Sequence, residues 1–381
     1  MTIPFLDLTR QHRALKTELL GAVERVLESS QFVLGGEGKA LEAELAALAG
    51  VRHGIGVGSG TDALRLALTA VGVRPGDDVI TPAFSFVASA STILMAGARP
   101  VLVDVDPATC ALDPAALERA LTPRTRAVVA VHLYGHPAPI DLIAEIARRR
   151  GVALVEDAAQ AIGATWDGRP IGGWGDVACL SFYPTKNLGA CGDAGMLLTD
   201  RDDLAEHVRR LRHHGDTGRY QHVELGYCSR LDEVQAAMLR VKLRRLDAWT
   251  DARRRLAARY RDGLAGLPLG LPAEDPRARH IYHLFTVRHP QRDALAKVLA
   301  DLGVGTMVHY PRAVPEQPLF GRSANPSRSA ARRASDEDAE RRWPQAWRAA
   351  REVLSLPCYP EMTDDEADGV VAAVRAAVGR V

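Results

Sequence analysis

Ser181-Phe182-Tyr183-Pro184-Thr185-Lys186-Asn187-Leu188-Gly189 sets one lysine in a Pro- and Gly-bounded loop behind an apolar run that reads as a strand. A lysine that attacks a carbonyl to form a Schiff base must be neutral often enough to be nucleophilic. A strand end with partial desolvation supplies that condition. Taken alone, a loop lysine is more often a solvated one, so the segments around it decide. Val155-Glu156-Asp157-Ala158-Ala159-Gln160 follows a second apolar run. Asp157 therefore falls at the carboxyl end of a strand, where open α/β sheets bind ligands. A carboxylate there can pair with the protonated ring nitrogen of a pyridoxal cofactor and keep the ring an electron sink. Its plainer use is as a helix N-cap. Gln160 can meet the ring hydroxyl or cap the turn.

Gly58-Ser59-Gly60-Thr61-Asp62-Ala63-Leu64 lies between a strand and a helix. Glycines let the backbone approach an anion, and a helix N-terminus offers free N–H groups and a positive dipole end. The segment is neither a dinucleotide fingerprint nor a phosphate loop of the Gly-Lys-Ser/Thr type, which disfavours dinucleotide and ATP sites. An ordinary capped turn is the alternative. In Thr81-Pro82-Ala83-Phe84-Ser85-Phe86 an aromatic just after a strand could stack on a ring, although core packing is the commoner fate of either phenylalanine.

The elements that must hold these segments alternate. Amphipathic helices at 15–27 and 37–48 are followed by strand-sized apolar runs at 54–57, 78–81, 100–103, 127–131 and 153–155, separated by helical patterns. Such alternation means βαβ units and a largely parallel sheet. Asp167-Gly168 signals a hairpin, and strands follow at 177–182 and 195–199. A long helical stretch opens near Leu231 and leads towards Tyr260. Beyond it lie a strand at 282–287, a helix at 292–302 and a C-terminal helix at 364–378. At 381 residues the chain suits two domains, 1–250 and 251–381. Residues 321–342, rich in Arg, Ser, Ala, Asp and Glu, read as an exposed loop. The arginine runs 148–150 and 253–255 read as solvated helix faces.

A net charge of +1 gives no electrostatic case for nucleic acid or membrane binding. Five scattered cysteines form no C-x-x-C pair, which points to reduced thiols in a cytoplasmic protein. No signal peptide and no membrane-spanning run is visible. His132 and His136 are separated by Gly135 and followed by Pro137, so no helix sets them on one face, and no metal site is expected.

In this order the segments resemble the DegT/StrS family of fold-type-I sugar aminotransferases. The likeness runs from Phe5-Leu6-Asp7-Leu8 through Phe32-Val33-Leu34-Gly35 and Val131-His132-Leu133-Tyr134-Gly135 to Leu356-Pro357-Cys358-Tyr359-Pro360. It implies a mostly parallel central sheet in a large pyridoxal 5′-phosphate domain plus a smaller C-terminal α/β domain. It implies that Lys186 forms the Schiff base and shuttles protons, that Asp157 pairs with the pyridine nitrogen, and that Gln160 contacts the ring oxygen. Phe86 stacks on the ring, and Gly60, Thr61 and Ser181 hold the phosphate. It further implies a homodimer with shared active sites. L-Glutamate or L-glutamine would be the amino donor and a nucleotide-linked keto sugar the acceptor.

Gly226–Ala237 looks like the branch that aminates C3 of a 3-keto-6-deoxy sugar on dTDP, with a 4-keto sugar or a cyclitol ketone as the alternative acceptor. Tyr183, Arg219, Tyr220, His309 and Tyr310 match positions near the sugar or nucleotide. Three places depart from the family: Cys228 stands where relatives carry asparagine, Ile162 where many carry histidine, and Ala313-Val314-Pro315-Glu316-Gln317 differs from the usual pattern after His309-Tyr310-Pro311. A thiol is a poorer donor than an amide, so a non-catalytic, cofactor-binding regulatory protein is the other reading. A related branch of dehydratases replaces the lysine by histidine, and Lys186 argues against that branch.

Overall fold

The computed structural model describes residues 2–321 and 336–381. Two helices open the chain, α1 (Leu8–Ser29) and α2 (Gly36–Ala49), and both end in a left-handed residue, Ser30 and Gly50. Then strand and helix alternate as β1 (His53–Val57), α3 (Gly60–Ala70), β2 (Asp78–Pro82), α4 (Ala88–Met95), β3 (Arg99–Val103), α5 (Pro114–Ala120), β4 (Thr125–Val131), α6 (Ile140–Arg150) and β5 (Ala153–Asp157). A small hairpin, β6 (Thr165–Trp166) and β7 (Arg169–Pro170), turns through Asp167 and Gly168, both at positive φ as the Asp-Gly signal requires. Next come β8 (Val177–Ser181), β9 (Gly195–Thr199), α7 (Asp202–Leu211), α8 (Glu233–Leu243) and α9 (Leu246–Gly263).

The central sheet has the order β1-β9-β8-β5-β4-β2-β3. Pairing is parallel from β3 through β2, β4 and β5 to β8, and antiparallel on both sides of β9. The expected α/β class and largely parallel sheet are therefore present. Pro100 is tolerated because β3 is an edge strand, where a missing N–H costs no ladder bond. The carboxyl ends of β1, β2, β4, β5 and β8 open on one side of the sheet, and the loops that leave them build the site.

The remaining elements are β10 (Ala278–Arg279), β11 (Phe285–Arg288), α10 (Arg292–Asp301), α11 (Asp336–Arg342), α12 (Pro344–Glu352), β12 (Val353–Leu356) and α13 (Asp364–Val378). β11 pairs antiparallel with β12. The strand expected from 282 starts later because Tyr282 sits at φ 46°, outside strand geometry. An apolar cluster of Leu256, Tyr260, Phe285, Leu299, Val370 and Val374 forms a second core, which Ile3 joins from the N-terminus. We propose that the chain changes domain within α9. Trp343, Ala346 and Ala350 return to the first core.

Two expectations need correction. Within 321–342, residues 336–342 are helical and Ala339 is buried, packed with Trp343 and Ala346. A run of Asp and Glu followed by Arg341 and Arg342 complements a helix dipole, which an average over the whole polar segment conceals. Residues 322–335 lie outside the described residues. Within 253–255, Arg253 is buried rather than solvated, because its Nη1 donates to the backbone carbonyls of Tyr282, His283 and Cys358.

Candidate active site

Lys186 follows β8 in a tight loop whose Lys186 N–H bonds to the Tyr183 carbonyl at 2.8 Å. The loop closes because Gly189 lies against Pro184; a Cβ at position 189 would meet the Pro184 carbonyl oxygen at 2.2 Å. Lys186 lines a cavity of about 770 Å³ whose walls come from the ends of β1, β2, β4, β5 and β8. Burial lowers its pKa to about 8, against the opposing attraction of Asp157. An amine in that state is neutral often enough to act as a nucleophile near neutral pH.

Asp157 ends β5 and faces the same cavity. Ser89 Oγ donates to its Oδ2 at 2.7 Å, and the Ala159 N–H to its Oδ1 at 3.2 Å. Burial raises its pKa, outweighing these bonds and the Lys186 charge. Such a carboxylate is short of positive partners, which suits it to receive one. Gln160 is held in place: its Oε1 accepts the Tyr134 N–H at 2.7 Å, and its Nε2 donates to the Tyr310 hydroxyl at 3.1 Å.

Across the cavity, α3 begins at Gly60 with Ser59 as its cap, its Oγ accepting the Asp62 N–H at 3.0 Å. Gly60 is required by a close approach: a Cβ there would come within 2.6 Å of Ser181 Cβ. Gly60, Thr61 and Ser181 thus form a small cradle at the positive end of a helix, shaped for a compact anion. Phe86 lines the cavity half-exposed, 5.7 Å from the Tyr310 ring, whereas Phe84 is fully buried core. An amine, a carboxylate, an anion cradle and an open aromatic face fit the functional groups of pyridoxal 5′-phosphate.

Tyr183, His309 and Tyr310 also line the cavity. His309 Nδ1 lies 3.0 Å from Ser355 Oγ, and burial next to the Lys186 charge lowers its pKa to about 4. Arg219 and Tyr220 do not line it. They sit at positive φ in a projecting turn, and Tyr220 is 91% exposed. Cys228 is exposed and takes a bond from Arg230 Nη2 at 2.9 Å, while Ile162 is buried in the core. Among the described residues no group of three or more His, Cys, Asp and Glu is placed to hold a metal ion. No described helix is long and apolar enough to cross a membrane.

Sequence reasoning passed over several residues in the cavity wall or directly behind it. Ser89 lies one helical turn past Phe86, and only the fold brings it to Asp157. Asn187 and His283 are paired, with Nδ1 3.0 Å from Oδ1, and Asn187 Nδ2 donates to the Ile281 carbonyl. Arg253 lines the cavity from α9. It was hidden among three consecutive arginines, of which Arg255 is exposed.

Known proteins resemble this chain along nearly its whole length. The sequence profile of the DegT/DnrJ/EryC1/StrS aminotransferase family matches residues 13–375. A protein of Geobacillus stearothermophilus named pleiotropic regulatory protein is 46% identical over 97% of both chains. The dTDP-3-amino-3,4,6-trideoxy-alpha-D-glucose transaminase of Streptomyces venezuelae is 45% identical over 100% of this chain and 97% of its own. A crystal structure of S. venezuelae DesV in complex with a ketimine intermediate superposes with a TM-score of 0.93 at 45% identity, covering 100% of this chain and 99% of that one.

Proposed function

Because the chain belongs to the DegT/DnrJ/EryC1/StrS aminotransferase family, we propose that it moves an amino group from L-glutamate or L-glutamine to a nucleotide-linked keto-deoxysugar, at C3 of a dTDP-3-keto-6-deoxyhexose. One observation carries the reading: Lys186 and Asp157, an amine lowered and a carboxylate raised by burial, line one cavity with the Gly60–Ser181 cradle.

When bound, pyridoxal 5′-phosphate supplies an electron sink that lets an amino group pass between two carbonyl compounds. This chain's residues do the rest. Gly60, Thr61 and Ser181 bind the phosphate at the α3 dipole. Asp157 holds a proton at the ring nitrogen, where its burial makes the ion pair strong. Gln160, fixed by Tyr134 and Tyr310, meets the ring oxygen, and Phe86 covers one face. Lys186 takes and returns the proton at the carbon that gains or loses the amine. Its pKa near 8 suits both directions. Tyr183, His309 and Tyr310 face the sugar.

The working unit in this reading is a homodimer. Phe32, Val33, Leu34, Val223 and Leu225 are exposed apolar side chains that a second subunit would cover. Arg219 and Tyr220, outside their own cavity, would reach the nucleotide in the second subunit's cleft. A relative bears a regulatory name, but a chain that retains Lys186, Asp157 and Gln160 in one cavity is equipped for turnover.

The test is the absorbance spectrum of protein with pyridoxal phosphate, before and after L-glutamate. A visible band that fades on adding glutamate is expected, followed by amine transfer to a dTDP-3-keto sugar in preference to 4-keto sugars. Lys186→Ala should lose the band and at least about 10⁴-fold in rate. A band that answers to neither glutamate nor glutamine would put the regulatory reading ahead.

A further inference from the structure

Arg253 is a charged residue of the cavity wall whose chemistry the proposed reaction leaves unused. Its side chain leaves α9 and is only 5% exposed. Nη1 donates to the backbone carbonyls of Tyr282 and His283, both at 3.2 Å, and to that of Cys358. That nitrogen ties α9 to two other segments and accounts for the position of the guanidinium. It does not account for the other edge. Nε is buried without a hydrogen-bond partner among the described residues, and the bonds the guanidinium makes to described residues run through Nη1. Nε–H and Nη2–H are parallel donors, the fork that matches the two oxygens of a carboxylate.

The chain itself shows what this edge binds. Arg99 uses Nε and Nη2 on Asp78, Arg201 on Asp203, Arg240 on Glu44 and Arg259 on Asp368. In all four pairs a carboxylate fills the fork, and the arginine itself is partly or largely exposed. Among the described residues Arg253 has no carboxylate on the same fork, only the Cys358 thiol near its guanidinium, in the most desolvated setting of the five. An uncompensated buried cation is costly unless something arrives to meet it. Because it borders the active cavity, the arrival is a ligand.

His283 and His309 do not compete for an anion. Burial lowers the pKa of both, that of His283 well below and that of His309 to about 4, so neither carries charge at neutral pH. The anion is a carboxylate rather than a sugar-linked diphosphate. A diphosphate is substituted at both ends and needs open space on two sides, whereas a carboxylate ends its molecule and can enter a nearly closed site. Of the two substrates proposed above, only the amino donor brings one.

We propose that Arg253 binds a carboxylate of the amino donor and so sets the donor specificity of the site; this rests on the transamination reading. The Nη1 edge holds the side chain rigid, and the Nε/Nη2 edge recognises the acid.

The experiment separates the two half-reactions of holoenzyme carrying Arg253→Gln or Arg253→Lys. Arg253→Gln should raise the L-glutamate concentration for half-maximal spectral change by about 10- to 150-fold, the loss of a charge-assisted contact. Arg253→Lys, a point charge without a fork, should fall between. The loss should weigh on the donor half-reaction at least tenfold more than on the sugar half-reaction. An equal loss in both, tracking a lowered Tm, would reduce Arg253 to a structural tie and overturn the proposal. Should the variants not fold, the wild-type protein decides. Either the α-amide or the γ-amide of glutamate should bind at least about tenfold more weakly than glutamate, and equal binding by all three would sink the idea. Glutarate titrated calorimetrically keeps the questions apart. Glutarate binding that Arg253→Gln abolishes supports the site even if no donor ever changes the spectrum, in which case the transamination reading alone would fall.

Discussion

Glu156 and Asp157 are adjacent on β5, both are buried carboxylates, and they point to opposite faces because side chains alternate along a strand. Glu156 is saturated. It accepts the N–H groups of Gly172 at 3.0 Å and of Trp174 and Gly175 at 2.8 Å each, and it lies 3.3 Å from His132 Nε2. His132 Nδ1 accepts the Ala138 N–H, so Nε2 is the nitrogen that donates. Burial raises the pKa of Glu156, but these bonds outweigh it and leave the value lowered. Asp157 has two donors and a raised pKa.

Two lysines repeat the contrast. Lys242 is buried and spends its amine on the Gly189 carbonyl at 2.7 Å and His12 Nε2 at 3.0 Å, bracing the loop of Lys186. Lys186 has no such hydrogen bond among the described residues and faces the cavity. A buried charge satisfied by the chain builds structure, and one left short of partners is available for chemistry.

Exchanging the charges one at a time should break the comparison into its halves. Asp157→Asn keeps shape and removes the charge proposed to face the ring nitrogen. Amine transfer should drop about 10³-fold, with little change in folding, because electrostatic stabilisation of developing charge is the largest single contribution of such sites. Full activity in this variant would remove Asp157 from the mechanism. Glu156→Gln should do the reverse. It weakens bonds to backbone donors and His132, costing about 2 kcal/mol, roughly thirtyfold in the ratio of folded to unfolded protein. The rate per folded molecule should stay within a few-fold. With a lowered folded pKa, the contribution of Glu156 is fully present above the ordinary glutamate value and is lost as pH falls through the folded one. Denaturant melts of wild type and Glu156→Gln should therefore converge in acid.

Much of this was legible in the sequence, for local reasons. Each strand that bears a site residue announced itself as a short apolar run, and Asp157, Ser181 and Gly60 were placed by being next to the ends of those runs. The Asp167-Gly168 turn was readable because only left-handed backbone suits it. What stayed hidden was non-local. Ser89 meets Asp157 only through the pairing of β2, β4 and β5. Arg253 is one of three consecutive arginines on a helix, and only the packing of α9 against residues 282–283 and 358 decides which is inside. Tyr282 interrupted a plausible strand because its backbone turns left-handed, which an aromatic does not advertise.

The smallest expected effect concerns protons and sharpens the comparison most. Burial lowers the Lys186 pKa from 10.5 to about 8, and Asp157 opposes that shift. The neutral amine is the nucleophile, so the rate at which apoprotein captures pyridoxal phosphate should rise with pH through about 8. It should level off above that value and fall about tenfold per unit below it. Stopped-flow absorbance across pH 6–10 reads the midpoint. Asp157→Asn removes the charge that holds the ammonium form, so its midpoint should move down. Glu156→Gln should leave the midpoint in place, since the Glu156 carboxylate is occupied on the other face of β5. If both variants moved it alike, the two carboxylates would be acting as one diffuse negative patch, and the division of β5 into a structural and a chemical face would be wrong.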